Sequence, residues 1–77
     1  MGGRPEGRDV STEIVAGQIL KRRTGRHRGV LIEVESFVVT DANGHEWWLA
    51  HSLSSRYRRE YRDDELQRDF VFVEARL

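Results

Sequence analysis

The sequence feature that most constrains the fold is Asn43–Gly44, which lies between two apolar runs. The run before it is Val30–Thr40 (VLIEVESFVVT), and the run after it is His45–His51 (HEWWLAH). Asn and Gly both tolerate positive φ, which a two-residue type I′ turn requires at both of its central positions. The pattern therefore predicts a β-hairpin with a type I′ turn, in which Val39 lies opposite Trp48.

The first arm of this hairpin reads as a half-buried strand. Val30, Ile32 and Val34 alternate against Glu33 and Glu35, as expected when one face of a strand is buried. The alternation fails after Ser36, where three apolar residues follow one another. A β-bulge near Glu35 and Ser36 would explain the change of phase, and bulges bend strands.

Two further strands are predicted on either side of the hairpin. Val10–Arg23 is rich in β-branched residues, which favours a strand with Gly17 at a bulge or a close approach. A helix capped by Ser11 is the alternative for this segment. Phe70–Leu77 (FVFVEARL) is predicted to close the chain as a strand.

Ser52–Leu66 is predicted to form a helix. Leu53, Tyr57 and Tyr61 recur every four residues, which gives a narrow apolar stripe on a helix. Arginines would then lie near the start of the helix and acids near its end, the unfavourable direction for the helix dipole. The alternative is that Asp63 ends the helix and begins a separate turn.

These elements predict an α+β fold in the order β-β-β-α-β. Short antiparallel strands with one inserted helix indicate a small, strongly curved sheet or an SH3-like partial barrel. An open four-stranded sheet with the helix across one face is the alternative. A chain of 77 residues corresponds to one domain, which we place at residues 10–77. Residues 1–9 are rich in glycine and charge, so we expect a disordered tail.

Composition narrows the class of protein. There is no cysteine, which excludes disulfides and thiolate zinc sites. No apolar run approaches the roughly 18 residues of a membrane span, and the N-terminus lacks the apolar region of a signal peptide. We therefore expect a cytoplasmic protein that does not interact with membranes.

The charge of the chain is balanced in sum but uneven along its length. Thirteen bases match 13 acids, yet Lys21–Gly29 (KRRTGRHRG) contains five permanent cations, one histidine and no acid. A second basic block, Arg56–Arg62, is interrupted only by Glu60. Such blocks allow a basic face on a protein whose net charge is zero.

The basic blocks predict a small nucleic-acid-binding module that uses a basic loop, arginines of the predicted helix and one aromatic side chain. Cations that contact phosphates release condensed counterions and gain affinity, and an exposed tryptophan offers a stacking surface for a base. The alternatives are a solvated hairpin tip for the loop and surface ion pairs for the helix arginines. The candidate binding residues are Lys21, Arg22, Arg23, Arg26, Arg28, Arg56, Arg58, Arg59 and Trp47.

Gly25–Val34 (GRHRGVLIEV) resembles the KOW motif, the glycine-containing turn and strand of some ribosomal and transcription proteins. The resemblance covers ten residues and lacks the further glycine expected after the basic turn, so it assigns no family.

Trp47 and Trp48 are neighbours, so on a strand they point to opposite faces. One of them enters the core, and the other is either covered on the second face or exposed.

A different functional class is a protein-binding adaptor or inhibitor of bacterial or phage type. Its complementary charge blocks and an exposed tryptophan would contact the partner. A small ribonuclease with His27 as general base is a third class. We expect no enzyme activity and no cofactor, because no base, nucleophile and orienting partner can be placed together. We expect no metal site either, since His45 and His51 would lie about 20 Å apart on one strand.

Overall fold

The computed structural model describes residues 8–11 and 13–76, which form an antiparallel sheet and one short helix. The elements in chain order are β1 (Arg8–Asp9), β2 (Gln18–Arg22), β3 (Leu31–Thr40), β4 (Glu46–Ser52), β5 (Arg58–Arg62), α1 (Asp63–Asp69) and β6 (Phe70–Ala75). The strands lie in the order β1-β6-β2-β3-β4-β5. Within the described residues β1 and β5 do not pair with each other, so the sheet is not closed into a barrel. The predicted small antiparallel sheet with one helix is confirmed at this level.

The core lies on one face of the sheet. Its largest fully buried side chains come from four of the elements: Phe70, Leu20, Ile32, Leu66 and Val34. Each such side chain contributes roughly 1.5–3 kcal/mol when it is removed from water. The alternation of buried and half-exposed positions along the first part of β3 is the one predicted from the sequence.

The predicted helix over Ser52–Leu66 is wrong. Arg58–Arg62 is strand β5, which pairs with β4 and places Tyr61 opposite Trp48. The fourfold spacing of the apolar residues misled the prediction, because residues four apart share a face on a strand as well as on a helix. Burial of Tyr61 against the core, at 4% exposure, favours the strand.

The helix that does form, α1, has its charges in the favourable order. Asp63, Asp64 and Glu65 lie in its first turn and Arg68 in its last, which is the direction that the helix dipole favours. The one buried residue of α1 is Leu66. The alternative that Asp63 begins a separate turn is thus close to the observed structure.

The hairpin of β3 and β4 is confirmed, but the type I′ turn is wrong. Gly44 has φ +84°, and no described residue other than glycine has positive φ. The Gly44 N–H donates to Asp41 O at 3.0 Å, and the Asp41 N–H donates to His45 O at 2.9 Å. This is a three-residue loop built on a β-turn and closed by a glycine with positive φ. The register consequently differs from the prediction, and Val39 lies opposite Trp47.

The side chain of Asp41 stabilises this turn, a role that the sequence prediction did not include. One carboxylate oxygen accepts the N–H groups of Asn43 and His45, at 2.9 and 3.0 Å. The other accepts the indole N–H of Trp47 at 2.9 Å. The bond from Trp47 is the largest of the interactions that lower the pKa of Asp41.

A bulge in β3 is confirmed where the sequence predicts it. The pairing of β3 with β4 shifts between Val34 and Ser36, and again between Phe37 and Val39. The second shift leaves the end of the hairpin with exposed apolar residues on β3.

The turn makes a direct prediction for Gly44→Ala. Nothing lies within 4 Å of an added Cβ at this position, so the only penalty is the left-handed backbone conformation. We expect a loss of about 1–2 kcal/mol in the free energy of unfolding, measured in urea. Gly44→Asn should lose less, because Asn tolerates this conformation. Equal stability of Gly44→Ala and the wild type would contradict the turn geometry.

The predicted strand over Val10–Arg23 is confirmed only for its last part. Gln18–Arg22 forms β2, and Gly17 lies in the turn before it with φ +95°. The Gly17 N–H donates to Val34 O at 2.8 Å, which is the close approach expected for this glycine.

The ends of the chain match the sequence predictions only in part. Phe70–Ala75 forms the predicted last strand. Of the predicted tail, residues 1–7 lie outside the described residues, and Arg8–Asp9 pairs with β6. No helix in the described part of the chain is long and apolar enough to cross a membrane.

Candidate nucleic-acid interface

A cleft of about 610 Å³ opens at one end of the sheet, between the β2–β3 loop and the β4–β5 loop. Its lining combines aromatic rings, serine hydroxyls, two arginines and one histidine. None of the described residues that line it is Asp or Glu. The chain contains 13 acids, so a lining without Asp or Glu favours the binding of an anionic ligand in this cleft.

The floor of the cleft is formed by the inner face of the sheet. Tyr61 on β5 and Phe70 at the start of β6 meet edge to face, with ring centroids 5.7 Å apart. Ile32 and Ser52 complete the floor on β3 and β4. These residues are nearly fully buried, so the floor is a largely apolar surface that is packed into the core.

Two guanidinium groups lie over the rings of the floor. The Arg59 guanidinium carbon is 3.8 Å from the Tyr61 ring centroid, and that of Arg22 is 5.1 Å from the Phe70 ring centroid. Arg59 also forms an ion pair with Glu65 outside the lining. Burial opposes the charge of Arg59, but Glu65 outweighs it and the pKa of Arg59 is raised. The cation–π contact and the ion pair together hold the plane of Arg59 in place.

Arg22 is held in a similar way by the loop that follows it. Its Nε–H donates to Thr24 O at 3.2 Å, and its guanidinium lies 3.9 Å from Asp69. Both planar groups therefore face the cleft with limited freedom to move.

The β2–β3 loop, residues 23–30, is ordered by backbone hydrogen bonds. The Arg22 N–H donates to Val30 O at 2.9 Å, and the Gly29 N–H donates to Arg22 O at 2.7 Å. Gly29 adopts φ +94°, so these bonds form a β-bulge whose first residue is a glycine in the left-handed conformation. This geometry turns His27 into the lining of the cleft and leaves Arg26 and Arg28 exposed beside it.

The β4–β5 loop, residues 53–57, forms the opposite wall. The Ser54 N–H donates to Ser52 Oγ and the Tyr57 N–H donates to Ser55 Oγ, each at 3.2 Å. Tyr57 at the rim has 58% of its surface exposed. Arg56 precedes it and is exposed as well.

The structure brings five of the nine predicted binding residues to this cleft or to the loops that flank it. Arg22 and Arg59 line it, and the loops carry Arg26, Arg28 and Arg56. No hydrogen bond or ion pair joins the side chains of these three loop arginines to any described residue. They are the cations most available to a ligand.

The remaining predicted residues lie elsewhere. Arg23 donates to Arg68 O at 3.0 and 2.8 Å and thereby caps the end of α1. Lys21 precedes Arg22 on β2 and so points to the opposite face of the sheet. Trp47 is half-buried at the far end of the hairpin, where it donates to Asp41.

Arg58 is occupied on the face of the sheet opposite to Arg59. It donates to both carboxylate oxygens of Glu35, at 3.0 and 2.9 Å. His51 Nδ1 lies 2.8 Å from the same carboxylate, and its Nε2 lies 3.8 Å from Glu33. Arg58 therefore belongs to a surface ion network and does not face the cleft.

This network predicts an acid-dependent contribution to stability. The hydrogen bond from Arg58 is the largest effect on Glu35 and lowers its pKa, with His51 acting in the same direction and burial opposing it. A carboxyl group whose pKa is lower in the folded than in the unfolded protein stabilises the fold at pH values above its unfolded pKa, about 4.3. This stability is lost as the pH falls through the pKa of the folded protein. We expect Glu35→Gln to be less stable than the wild type at pH 7, with the difference vanishing in strong acid. Urea unfolding across the pH range checks this, and a constant difference would contradict it.

A second group of polar side chains has a structural role. His45, Asp63 and Asp64 bring one ligand-type atom each within 4.8 Å of the others. Asp63 already accepts the N–H groups of Glu46 and Asp64, at 3.1 and 2.7 Å. Burial raises the pKa of Asp63, but these bonds and His45 outweigh it and the pKa is lowered. The carboxylate thus ties the start of α1 to β4.

The aromatic residues of the cleft were missed in the sequence as binding residues. Tyr57 and Tyr61 were assigned to a helix stripe, and Phe70 to the last strand. The available signal was the segment RYRREYR, residues 56–62, in which arginines alternate with tyrosines. Cations interleaved with aromatic side chains are typical of surfaces that bind single-stranded nucleic acid.

Comparison of the chain with protein-family models, with curated proteins and with solved structures finds no significant match.

Proposed function

We propose that the protein binds nucleic acid through the cleft and the two loops beside it. The observation that carries this proposal is the acid-free lining, in which guanidinium groups lie over aromatic rings. A ligand suited to it has negative charge for the arginines and a planar ring for the aromatic surfaces. Nucleotides combine both properties.

The three loop arginines supply the contacts to phosphate in this proposal. Arg26, Arg28 and Arg56 are exposed and have no partner among the described residues, so a phosphate does not have to displace an acid from them. Because the net charge of the chain is zero, long-range attraction is weak. Charges beyond a Debye length of about 8 Å are screened at physiological salt, and short-range contacts carry the binding.

A salt-dependent binding titration tests the proposed function. Fluorescein-labelled DNA and RNA, single-stranded and double-stranded, are titrated with the protein, and the affinity is followed by anisotropy. We expect log affinity to fall linearly with log salt, with a slope of about −2 for three phosphate contacts on a single strand. Absence of binding to all four nucleic acids at low salt would contradict the proposal.

The proposal is one of binding without catalysis, by a cytoplasmic protein. His27 is the histidine in the described lining of the cleft. General acid–base cleavage of RNA requires a second positioned group that donates or accepts a proton. The serine and arginine side chains beside His27 are poor proton donors and acceptors at neutral pH. The short helix before the last strand and the pairing shifts along β3 also support assigning the antiparallel sheet to the SH3-like class.

A second candidate function is supported by a separate surface. Phe37, Val38 and Val39 on β3 are 40–49% exposed, and in the described pairing β2 reaches β3 only at residues 31–33. The end of β3 thus offers exposed apolar side chains and an open strand edge, which suits a protein partner that adds a strand. The partner-binding alternative uses this surface and leaves the cleft unused.

A further inference from the structure

We infer that the cleft takes an unstacked base of a single strand of nucleic acid, an inference that rests on the proposed function and specifies its ligand. It is based on two observations. The planar groups form a concave site with a buried floor. Arg26, Arg28 and Arg56, which have no hydrogen-bond or ion-pair partner among the described residues, lie on the loops at its rim.

The depth of the site argues against duplex. A double helix presents phosphates on its outside and keeps its bases stacked, so a duplex resting on the rim would contact the loops but place no base against the guanidinium planes of the cleft. A single strand can turn one base out of its stack. The base then enters the cleft, and the backbone stays at the rim beside the arginines.

The planar groups of the cleft are arranged to stack on a base. Tyr61 and Phe70 are covered by the guanidinium groups of Arg59 and Arg22. The surfaces left for a ligand are therefore the guanidinium planes and the exposed ring of Tyr57. Bases stack on aromatic side chains and on guanidinium planes, and the rings and acids that hold both arginines keep these planes in position before the ligand arrives.

The hydrogen-bonding groups of the cleft indicate little sequence preference. Ser54 and Ser55 contribute hydroxyls, which both donate and accept. Such groups do not distinguish one base edge from another. Stacking also tolerates any sequence, because every base has a planar face.

The two rim loops give the strand a path. Arg26 and Arg28 lie on the β2–β3 loop, and Arg56 lies on the β4–β5 loop across the cleft. The strand would pass from one loop to the other with a phosphate at each, and the base between them would enter the cleft and stack against Tyr57 on its wall.

The test compares three ligands with the wild-type protein: a labelled single-stranded oligonucleotide, the same strand with its bases replaced by abasic sites, and its duplex. We expect the abasic strand and the duplex to bind about 5- to 150-fold more weakly than the intact strand, the range that corresponds to about 1–3 kcal/mol of stacking per base. Equal affinity for the intact and abasic strands would overturn the inference while leaving the proposed function standing. No binding to any of the three would overturn both.

Substitution of Tyr57 tests the same point from the protein. Tyr57→Ala should weaken the intact strand by a similar factor and leave the abasic strand unchanged, while Tyr57→Phe should bind the intact strand like the wild type. Tyr57 is exposed, and unchanged thermal unfolding shows that each variant is folded. An equal loss for intact and abasic strands would overturn the stacking role.

Discussion

Phe70→Ala is expected to lose about 3–5 kcal/mol of unfolding free energy, the cost typical of removing a buried phenylalanine. Phe70 is 1% exposed, meets the Tyr61 ring edge to face and supports the guanidinium of Arg22. A chain of 77 residues has a small core, and domains have about 5–15 kcal/mol in total. We therefore expect the midpoint of thermal unfolding, followed by circular dichroism, to fall by about 12 °C or more.

Phe37→Ala is the matched control for this substitution. Phe37 also meets an aromatic partner edge to face, with its centroid 5.4 Å from that of Trp48, but it is 49% exposed. We expect its loss to stay near the 0.5–1.5 kcal/mol typical of an aromatic pair plus the modest area it buries, roughly 1–2 kcal/mol. Similar losses for the two variants would contradict the placement of the core.

Replacing the three loop arginines together is expected to remove most of the binding. Arg26→Gln, Arg28→Gln and Arg56→Gln delete three phosphate contacts, which should reduce the slope of log affinity against log salt by about 2 for a single strand. With three contacts, affinity falls by about 20-fold between about 50 and 200 mM salt, and without them it becomes nearly independent of salt. The fold should be unaffected, because these side chains are exposed and no hydrogen bond or ion pair joins them to a described residue.

The control for this triple variant removes the same charge from another part of the surface. Arg58, Arg68 and Arg76 are exposed, do not line the cleft, and are each paired with an acid. Their replacement by Gln changes the net charge by the same amount. If both triple variants lose the same slope, binding depends on overall charge and the assignment to the loops is wrong.

The sequence predicted the strands better than their register. Alternation along Val30–Val34 identified β3 and its buried face, and the break near Ser36 located the bulge. The hairpin turn was misassigned because Asn43–Gly44 fits a type I′ turn in isolation. The side chain of Asp41, which accepts hydrogen bonds from Asn43, His45 and Trp47, favours the longer loop. These contacts are local to the hairpin, but a turn assigned from Asn43–Gly44 alone leaves Asp41 out.

The cleft was predicted in part. The acid-free segment Lys21–Gly29 indicated a basic loop between two strands, which is confirmed for its later part. Lys21 and Arg22 belong to β2, and Arg23 caps α1. Arg58 and Arg59 were treated alike because both belong to the basic block that was assigned to a helix. On a strand they point to opposite faces, so Arg58 pairs with Glu35 while Arg59 enters the cleft. Because strand β5 was predicted to be helical, Arg58 was wrongly included with Arg59 among the residues of one binding surface.

The central claim is that nucleic acid binds at the cleft, and the most direct measurement is a titration of the isotope-labelled protein with a short single-stranded oligonucleotide, followed by amide chemical shifts. We predict that the largest shifts occur at Ser54, Tyr57 and Arg59 and at Arg26–Gly29, with Phe37–Val39 at the far end of the hairpin unchanged. Shifts confined to Phe37–Val39, or no shifts at low salt, would contradict the claim.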